Sequence, residues 1–308
     1  MARKKVFAVG DLCIDVLYSS KGRRVGEEHH LSSLDFSVGG NAANFAFLCA
    51  RLGLHPKLYT IMGKDFGTPF LMHSLKSEKL DLYLAKSPLK NSYSLVWVNK
   101  RGERAIESIK NCLKDLTVEW VQKRLMKKVK PGDIVVFGGF FHLKNFRKGF
   151  GSLLKKLKGK GVTICFDTCF DTFGNWNVQP YLPFIDFLFT NETELKRISR
   201  GGSMHQRIVW LLGRGADTIV VKKGVRGASI FKGAKRLFSM PALKTKVVDT
   251  TGAGDAFNAG FVFGLVHGWS MQRCIFAGNV VAARKIRQHG LATPNKVELK
   301  RIVEKKFD

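Results

Sequence analysis

Between Val118 and Val221 short apolar runs alternate with amphipathic stretches, and this alternation restricts the fold more than any other feature of the chain. The runs fall at residues 133–137, 163–166, 187–189 and 218–221, too short for helices and separated by stretches with apolar residues at helical spacing. Runs without a polar face belong to a sheet buried on both sides. Parallel neighbours need a long crossover, which a helix supplies, so the pattern predicts a parallel sheet covered on both faces. Ligands bind such sheets beyond the carboxyl ends of the strands. The first three runs open there into Gly138-Gly139, Asp167-Thr168 and the polar residues 190–194.

The densest chemistry lies at residues 247–261, VVDTTGAGDAFNAGF. Val247 and Val248, preceded by alternating Leu243 and Thr245, predict the end of a strand, and residues 256–267 have the spacing of a helix. Gly252 and Gly254 permit close backbone approach in the turn between them. A helix starting near Gly254 aims unpaired N–H groups and the positive end of its dipole at any anion held there. Asp255, in the first helical turn, either stabilises that helix end or acts as a general base beside an anion hole; the residues alone leave both open. Two rival glycine motifs are absent. No GxxxxGK[ST] occurs, and the third position of a dinucleotide fingerprint is Phe257, with no Asp or Glu between Asp255 and Glu298 to hold a ribose. Hydride transfer is therefore disfavoured.

DTTGAGDAFNAGF resembles the C-terminal signature of the ribokinase-like (PfkB-type) carbohydrate kinases. The resemblance runs from about residue 5 to about residue 300. It implies one ribokinase-like α/β domain over 1–308, a mostly parallel central sheet with helices on both faces plus a small β-sheet lid. It further implies that Asp255 is the catalytic base, that the Gly252-Ala253-Gly254 backbone forms the anion hole, and that Asp249 and Thr251 lie near a monovalent-cation site, for which K⁺ is one candidate.

Upstream, GDLCID places Asp11 and Asp15 just beyond a strand at residues 5–10, where turn or capping roles are as common as ligand binding. The resemblance makes them substrate residues, with Asp15 on substrate hydroxyls; Cys13 stands where ribokinase proper has a polar residue, which argues against ribose. SVGGNAAN matches the GG-x-x-A-N signature, so Gly39, Gly40 and Asn44 are expected to line the same site. Asp65 and Gly67 read as structural. In NETE, a capped helix start competes with the family's NxxE motif, in which Asn191 and Glu194 organise Mg²⁺ (indirectly through Glu194) and the nucleotide phosphates. KKGVRG resembles a nucleotide-binding turn, with Lys222 reaching phosphate and Gly224 and Gly227 giving close ligand approach. Asn279, with Ala282 and Ala283, falls near the expected adenine pocket, and Gly290 resembles the glycine that ends that helix.

The lid is expected at residues 16–38, with Gly22 and Gly26 as turns, and at 91–108, a hairpin turning at residues 99–102. A lid would keep water from the phosphoryl group. Tyr93, Trp97 and Phe36 in these segments are candidates for stacking a nucleobase.

The net charge of +28 invites a nucleic-acid reading, but the basic residues are spread along the chain as solvated helix faces (QKRLMKKVK, LLKKLKGKGV, ARKIRQ) without a nucleic-acid motif or basic tail. A polyanion such as ATP suits the charge equally. Six scattered cysteines without a CxxC pair fit reduced, buried thiols. The basic N-terminus lacks the apolar run of a signal peptide, and no apolar span is long enough for a membrane, so a cytoplasmic protein is expected. The expected function is transfer of the γ-phosphoryl of ATP, with Mg²⁺, to a hydroxyl of a sugar or related polyol. A nucleoside kinase of the same family is the alternative, and a homodimer through the lid is one arrangement such a chain can adopt.

Overall fold

The computed structural model describes residues 4–20, 30–98, 104–171, 173–233 and 235–307. Strands β1 (Val6–Gly10), β2 (Cys13–Ser20) and β3 (Leu31–Gly39) precede helix α1 (Asn41–Arg51). Then come β4 (Lys57–Met62), α2 (Thr68–Lys76), β5 (Asp81–Lys86), β6 (Tyr93–Val98), β7 (Arg104–Ile109) and α3 (Val118–Leu125). The alternating stretch gives β8 (Ile134–Gly138), α4 (Phe150–Gly159), β9 (Thr163–Asp167), β10 (Phe187–Asn191), α5 (Glu192–Ile198), α6 (Met204–Leu212) and β11 (Thr218–Lys222). It continues through β12 (Ala228–Lys232), β13 (Lys235–Met240), α7 (Ala253–Val266), α8 (Met271–Lys285) and α9 (Lys296–Phe307).

Among the described residues these strands form two sheets. The larger has nine strands in the order β13-β12-β11-β10-β9-β8-β1-β4-β5, parallel from β5 to β11 and antiparallel at β12 and β13. Its central strands are apolar on both faces. Val6, Ala8, Ile134 and Val136 pack under α1, α2, α7, α8 and α9, whereas Phe7, Val9, Val135 and Phe137 pack under α3, α4, α5 and α6. This mostly parallel sheet, covered on both faces, is the central sheet that the resemblance implies. The second sheet, β3-β2-β6-β7, is the lid: β2 runs parallel to β6 and the outer pairs are antiparallel. The turns expected at Gly22, Gly26 and residues 99–102 lie outside the described residues.

Two local expectations fail. The approach to the central motif is irregular rather than a strand: the N–H groups of Val248 and Asp249 donate to Ile286 O at the end of α8, at 2.7 and 3.2 Å, instead of to a sheet neighbour. The large sheet has already ended at β13, so the alternating residues 243–248 meet no strand to pair with. Asp15 sits within β2 of the lid sheet, not in a loop after β1. β5, β12 and β13 carry no signal in the residue pattern strong enough to predict them. Asp65 is structural, as expected: its carboxylate accepts N–H groups from Gly67 (2.9 Å) and Asn91 (2.8 Å) and ties α2 to the lid.

Candidate active site

Beyond the carboxyl ends of β1, β8, β9, β10 and β11 lies a cleft of about 1170 Å³, roofed by the lid and closed at one end by α7 and α8. It has three parts.

The first part, under the lid, holds Asp11 and Asp15. Asp11, 2% exposed, accepts the Ala42 N–H at the start of α1 (3.0 Å) and His142 Nδ1 (3.0 Å). Burial opposes its ionisation, but His142 and the amide together hold the carboxyl below the usual range. Asp15 accepts from Cys13 Sγ (3.3 Å), and burial pushes its carboxyl up. Gly39 is glycine because a Cβ there would stand 2.1 Å from Asp15 Oδ1; Gly139 makes the same room for Asp11, where a Cβ would stand 2.0 Å from Cγ. Gly40, at φ 98°, turns the chain into α1. Ser94, Ser108, Lys110 and His142 complete this part.

The second part is the start of α7. Gly252, at φ 72°, caps the helix and turns the Gly252–Gly254 amides toward the cleft. Asp255 is 4% exposed and accepts the side-chain amides of Asn41 (3.2 Å) and Asn44 (3.0 Å). Burial, then repulsion from Asp167, pushes its carboxyl up to about 8 against the pull of those amides and of Lys222. Asp167 accepts from Lys222 Nζ at 2.9 Å and from Asn258. Burial disfavours the Lys222 ammonium, but Asp167 and Glu194 more than compensate and raise its pKa. The ammonium would stand only 3.2 Å from a Cβ on Gly254, so a fixed positive charge flanks the amide cluster.

The third part runs along β10, β11 and α8. Asn191 and Glu194 form a reciprocal capping box for α5: Asn191 Oδ1 accepts the Glu194 N–H and Glu194 Oε2 accepts the Asn191 N–H, both at 2.9 Å. The same Glu194 oxygen accepts Thr168 Oγ1 at 2.8 Å and the side chain lines the cleft. Helix capping and a place at the site are thus combined in one residue. Gly224 and Gly227 both line the cleft; the bareness of Gly227 serves sheet packing, since a Cβ would strike Met240 O at 1.9 Å. Asn279 donates to Pro241 O at 3.0 Å beside Ala282 and Ala283, with all three lining the cleft. α8 ends at Lys285, so Gly290 does not terminate it.

No cluster of three or more His, Cys, Asp or Glu side chains among the described residues is placed to hold a metal by itself. That suits Mg²⁺, which keeps waters and takes phosphate oxygens beside one or two carboxylates; Glu194 and Asp167 are the carboxylates available. The monovalent-cation expectation fares differently. Asp249 Oδ1 accepts the Thr251 N–H at 2.8 Å, and the Lys285 ammonium, 1% exposed, lies 2.5 Å from Oδ2. Asp249 is therefore already paired with a cation, the Lys285 ammonium.

Several site residues carry no readable signal in the sequence. Asn41 looks like a helix start, Lys110 and His142 arrive from separate loops, and Lys285 sits in ARKIRQ, which reads as a solvated face yet is buried at this one lysine. Of the stacking candidates, Tyr93 and Trp97 do not line the cleft, and Phe36 lines a smaller adjoining pocket that shares Asp15 and Asn44 with it. On β6 the cleft-facing residues are Ser94 and Val96, so alternation turns Trp97 away, while Tyr93 stacks on Phe66. The exposed ring that does line it is Phe170, after β9.

A family profile described as pfkB family carbohydrate kinase matches residues 3–298. The chain is similar to an ATP-dependent 6-phosphofructokinase of Thermoanaerobacterium thermosaccharolyticum, 25% identical over 294 residues, covering 92% of this chain and 88% of that protein. It is also similar to a nucleoside kinase of Methanocaldococcus jannaschii, 26% identical over 306 residues, covering 94% and 93%. Among solved structures it matches a ribokinase from Thermotoga maritima with a TM-score of 0.82 at 21% identity, over 98% of this chain and 99% of that one.

Proposed function

Because this chain belongs to the pfkB family of carbohydrate kinases, and is thus an ATP-dependent phosphotransferase with an alcohol acceptor, we propose that its acceptor is a sugar or related polyol. One observation carries the choice. The cleft beneath the lid is lined by hydrogen-bonding groups, among them the Asp15 carboxylate and the buried Asn44 Oδ1, which has no partner among the described residues. A buried acceptor left without a donor is costly, and a substrate hydroxyl would satisfy it.

In this reading Asp15 and Asn44 receive hydroxyls of the acceptor and turn one of them toward Asp255. Asp255 takes the proton as the oxygen attacks the γ-phosphorus. A carboxyl pushed up to about 8 is a stronger base than an ordinary aspartate, and the Asn41 and Asn44 amides fix its orientation. The Gly252, Ala253 and Gly254 amides, with the Lys222 ammonium beside them, stabilise charge on the transferring phosphoryl oxygens. Asn191, Gly224, Gly227 and Asn279 line the nucleotide's path. Mg²⁺, held through Glu194 and Asp167, would neutralise the triphosphate. The lid residues Leu34, Phe36 and Leu95 are about half exposed, and a homodimer would form through them.

The second reading, a nucleoside acceptor, draws on Phe170, 53% exposed at the cleft, as a stacking ring. A coupled assay of ADP release over pentoses, hexoses, their phosphates, polyols and nucleosides separates the two. The proposal expects turnover with a free or phosphorylated sugar or a polyol that survives Phe170→Ala. Turnover confined to nucleosides and lost in Phe170→Ala would replace it.

A further inference from the structure

We propose that the Lys285 ammonium is a resident, tethered cation in this kinase, occupying the Asp249 site so that the enzyme works without a free monovalent cation. The inference rests on the kinase reading and concerns one residue of it. Lys285 is the last residue of α8, and its ammonium donates to Asp249 Oδ2 (2.5 Å) and to the Asp249 carbonyl (3.2 Å). A carboxylate and a backbone carbonyl are the oxygen ligands that a bound monovalent cation would take, and the ammonium brings the same charge to them. A free cation at hydrogen-bonding range of that ammonium would be repelled in a buried site. Burial works against the charge on Asp249, yet Lys285 and the Thr251 N–H hold its carboxyl below the usual range, so the anion is already balanced.

The position gives the contact its consequence. Asp249 fixes the Thr251 N–H at the entrance to the turn that presents the Gly252–Gly254 amides, and Val248 and Asp249 also donate to Ile286 O. α8, which carries Lys285, also carries Asn279, Ala282 and Ala283 along the nucleotide's path. The Lys285–Asp249 bond thus ties the anion hole to the nucleotide wall. Lys285 is a positioning residue: it touches neither reactant and acts through the loop it holds.

The test replaces K⁺ by N-methylglucamine, too large for the site, at matched ionic strength. The unmodified enzyme should change turnover and KM for ATP by less than about twofold, since nothing that binds it has been removed. Lys285→Ala should lose about tenfold or more of its turnover in N-methylglucamine, from a misplaced anion hole, and regain part of it when K⁺, NH₄⁺ or methylammonium is added. Lys285→Met fills the space without a charge and should not be rescued. A readout without substrates is Tl⁺ binding by thallium NMR, together with Tm: no saturable binding to the unmodified protein, but saturable binding and a rising Tm for Lys285→Ala. Activation of the unmodified enzyme by K⁺ beyond about tenfold, saturable Tl⁺ binding to it, or a Lys285→Ala variant at full rate in N-methylglucamine would overturn the proposal. Should Lys285→Ala not fold, the unmodified protein's Tl⁺ binding and K⁺ response still decide. Should no acceptor give turnover, the kinase reading fails while the Tl⁺ and Tm measurements still judge Lys285.

Discussion

Asp11 and Asp255 are buried to nearly the same degree, and both are held by α1, one through the Ala42 N–H and the other through the Asn41 and Asn44 amides. Each carboxylate has two hydrogen-bond donors, yet Asp11 is held low and Asp255 is pushed up to about 8. Their neighbours separate them. Asp11 faces His142 and, at longer range, Lys110; Asp255 faces Asp167, and Lys222, the cation that would offset this, is engaged by Asp167 itself. A count of donors would assign both the same role. The charges make one a fixed anion that anchors the end of β1 to α1 and suit the other to the role proposed for it, a proton acceptor beside the start of α7.

Removing the acceptor should have the largest effect. Asp255→Asn should lower turnover by about 10²- to 10⁴-fold with ATP affinity kept, measured by steady-state kinetics and nucleotide titration. It should also stabilise the protein. With a folded-state pKa raised to about 8, Asp255 contributes stability that is present below its unfolded pKa and lost as pH rises through about 8, so the Tm gap favouring Asp255→Asn should open from about pH 4 and be complete above about pH 8. Asp11→Asn should do the reverse. Loss of a buried charge bonded to His142 should cost about 1–3 kcal/mol in urea unfolding at neutral pH. Because the folded pKa of Asp11 is depressed, that stability is present above its unfolded value and is lost as pH falls through the folded one, so the two proteins should converge in acid. Asp15→Ala, at the acceptor end, should weaken the acceptor by about 1.5–3 kcal/mol in KM and leave ATP almost unaffected. Trp97→Ala should be the mildest, within about threefold for any acceptor, because the ring lies off the cleft; a larger loss with a nucleoside would show that the lid stacks a base.

What the sequence makes legible here is local. A short apolar run predicts a buried strand, and glycines followed by an acid and small residues predict a helix start that binds anions; from these the parallel half of the sheet and the turn at residues 247–261 can be read. What it hides depends on distant partners. Nothing near Asn41 says that its amide will meet a carboxylate on α7, and Lys285 looks solvated because its neighbour Arg284 is exposed while Asp249 lies far off along the chain. Trp97 illustrates register: the hairpin is readable, but which of its faces meets the cleft depends on how β6 pairs with β2. The irregular residues 243–248 alternate like a strand, and only the end of the sheet at β13 shows that no neighbour is available.

The claim that Asp255 is the proton acceptor, set by the charge of Asp167, is tested most directly by the pH dependence of kcat/KM in the unmodified enzyme and in Asp167→Asn. That ratio reports free-enzyme ionisation. The account predicts activity that climbs with pH to a plateau above about 8, and a climb displaced to lower pH in Asp167→Asn, where the repelling charge is gone and Lys222 is released to favour the Asp255 anion. A profile flat from about pH 6 to about pH 9, or a midpoint that does not move in Asp167→Asn, would contradict it.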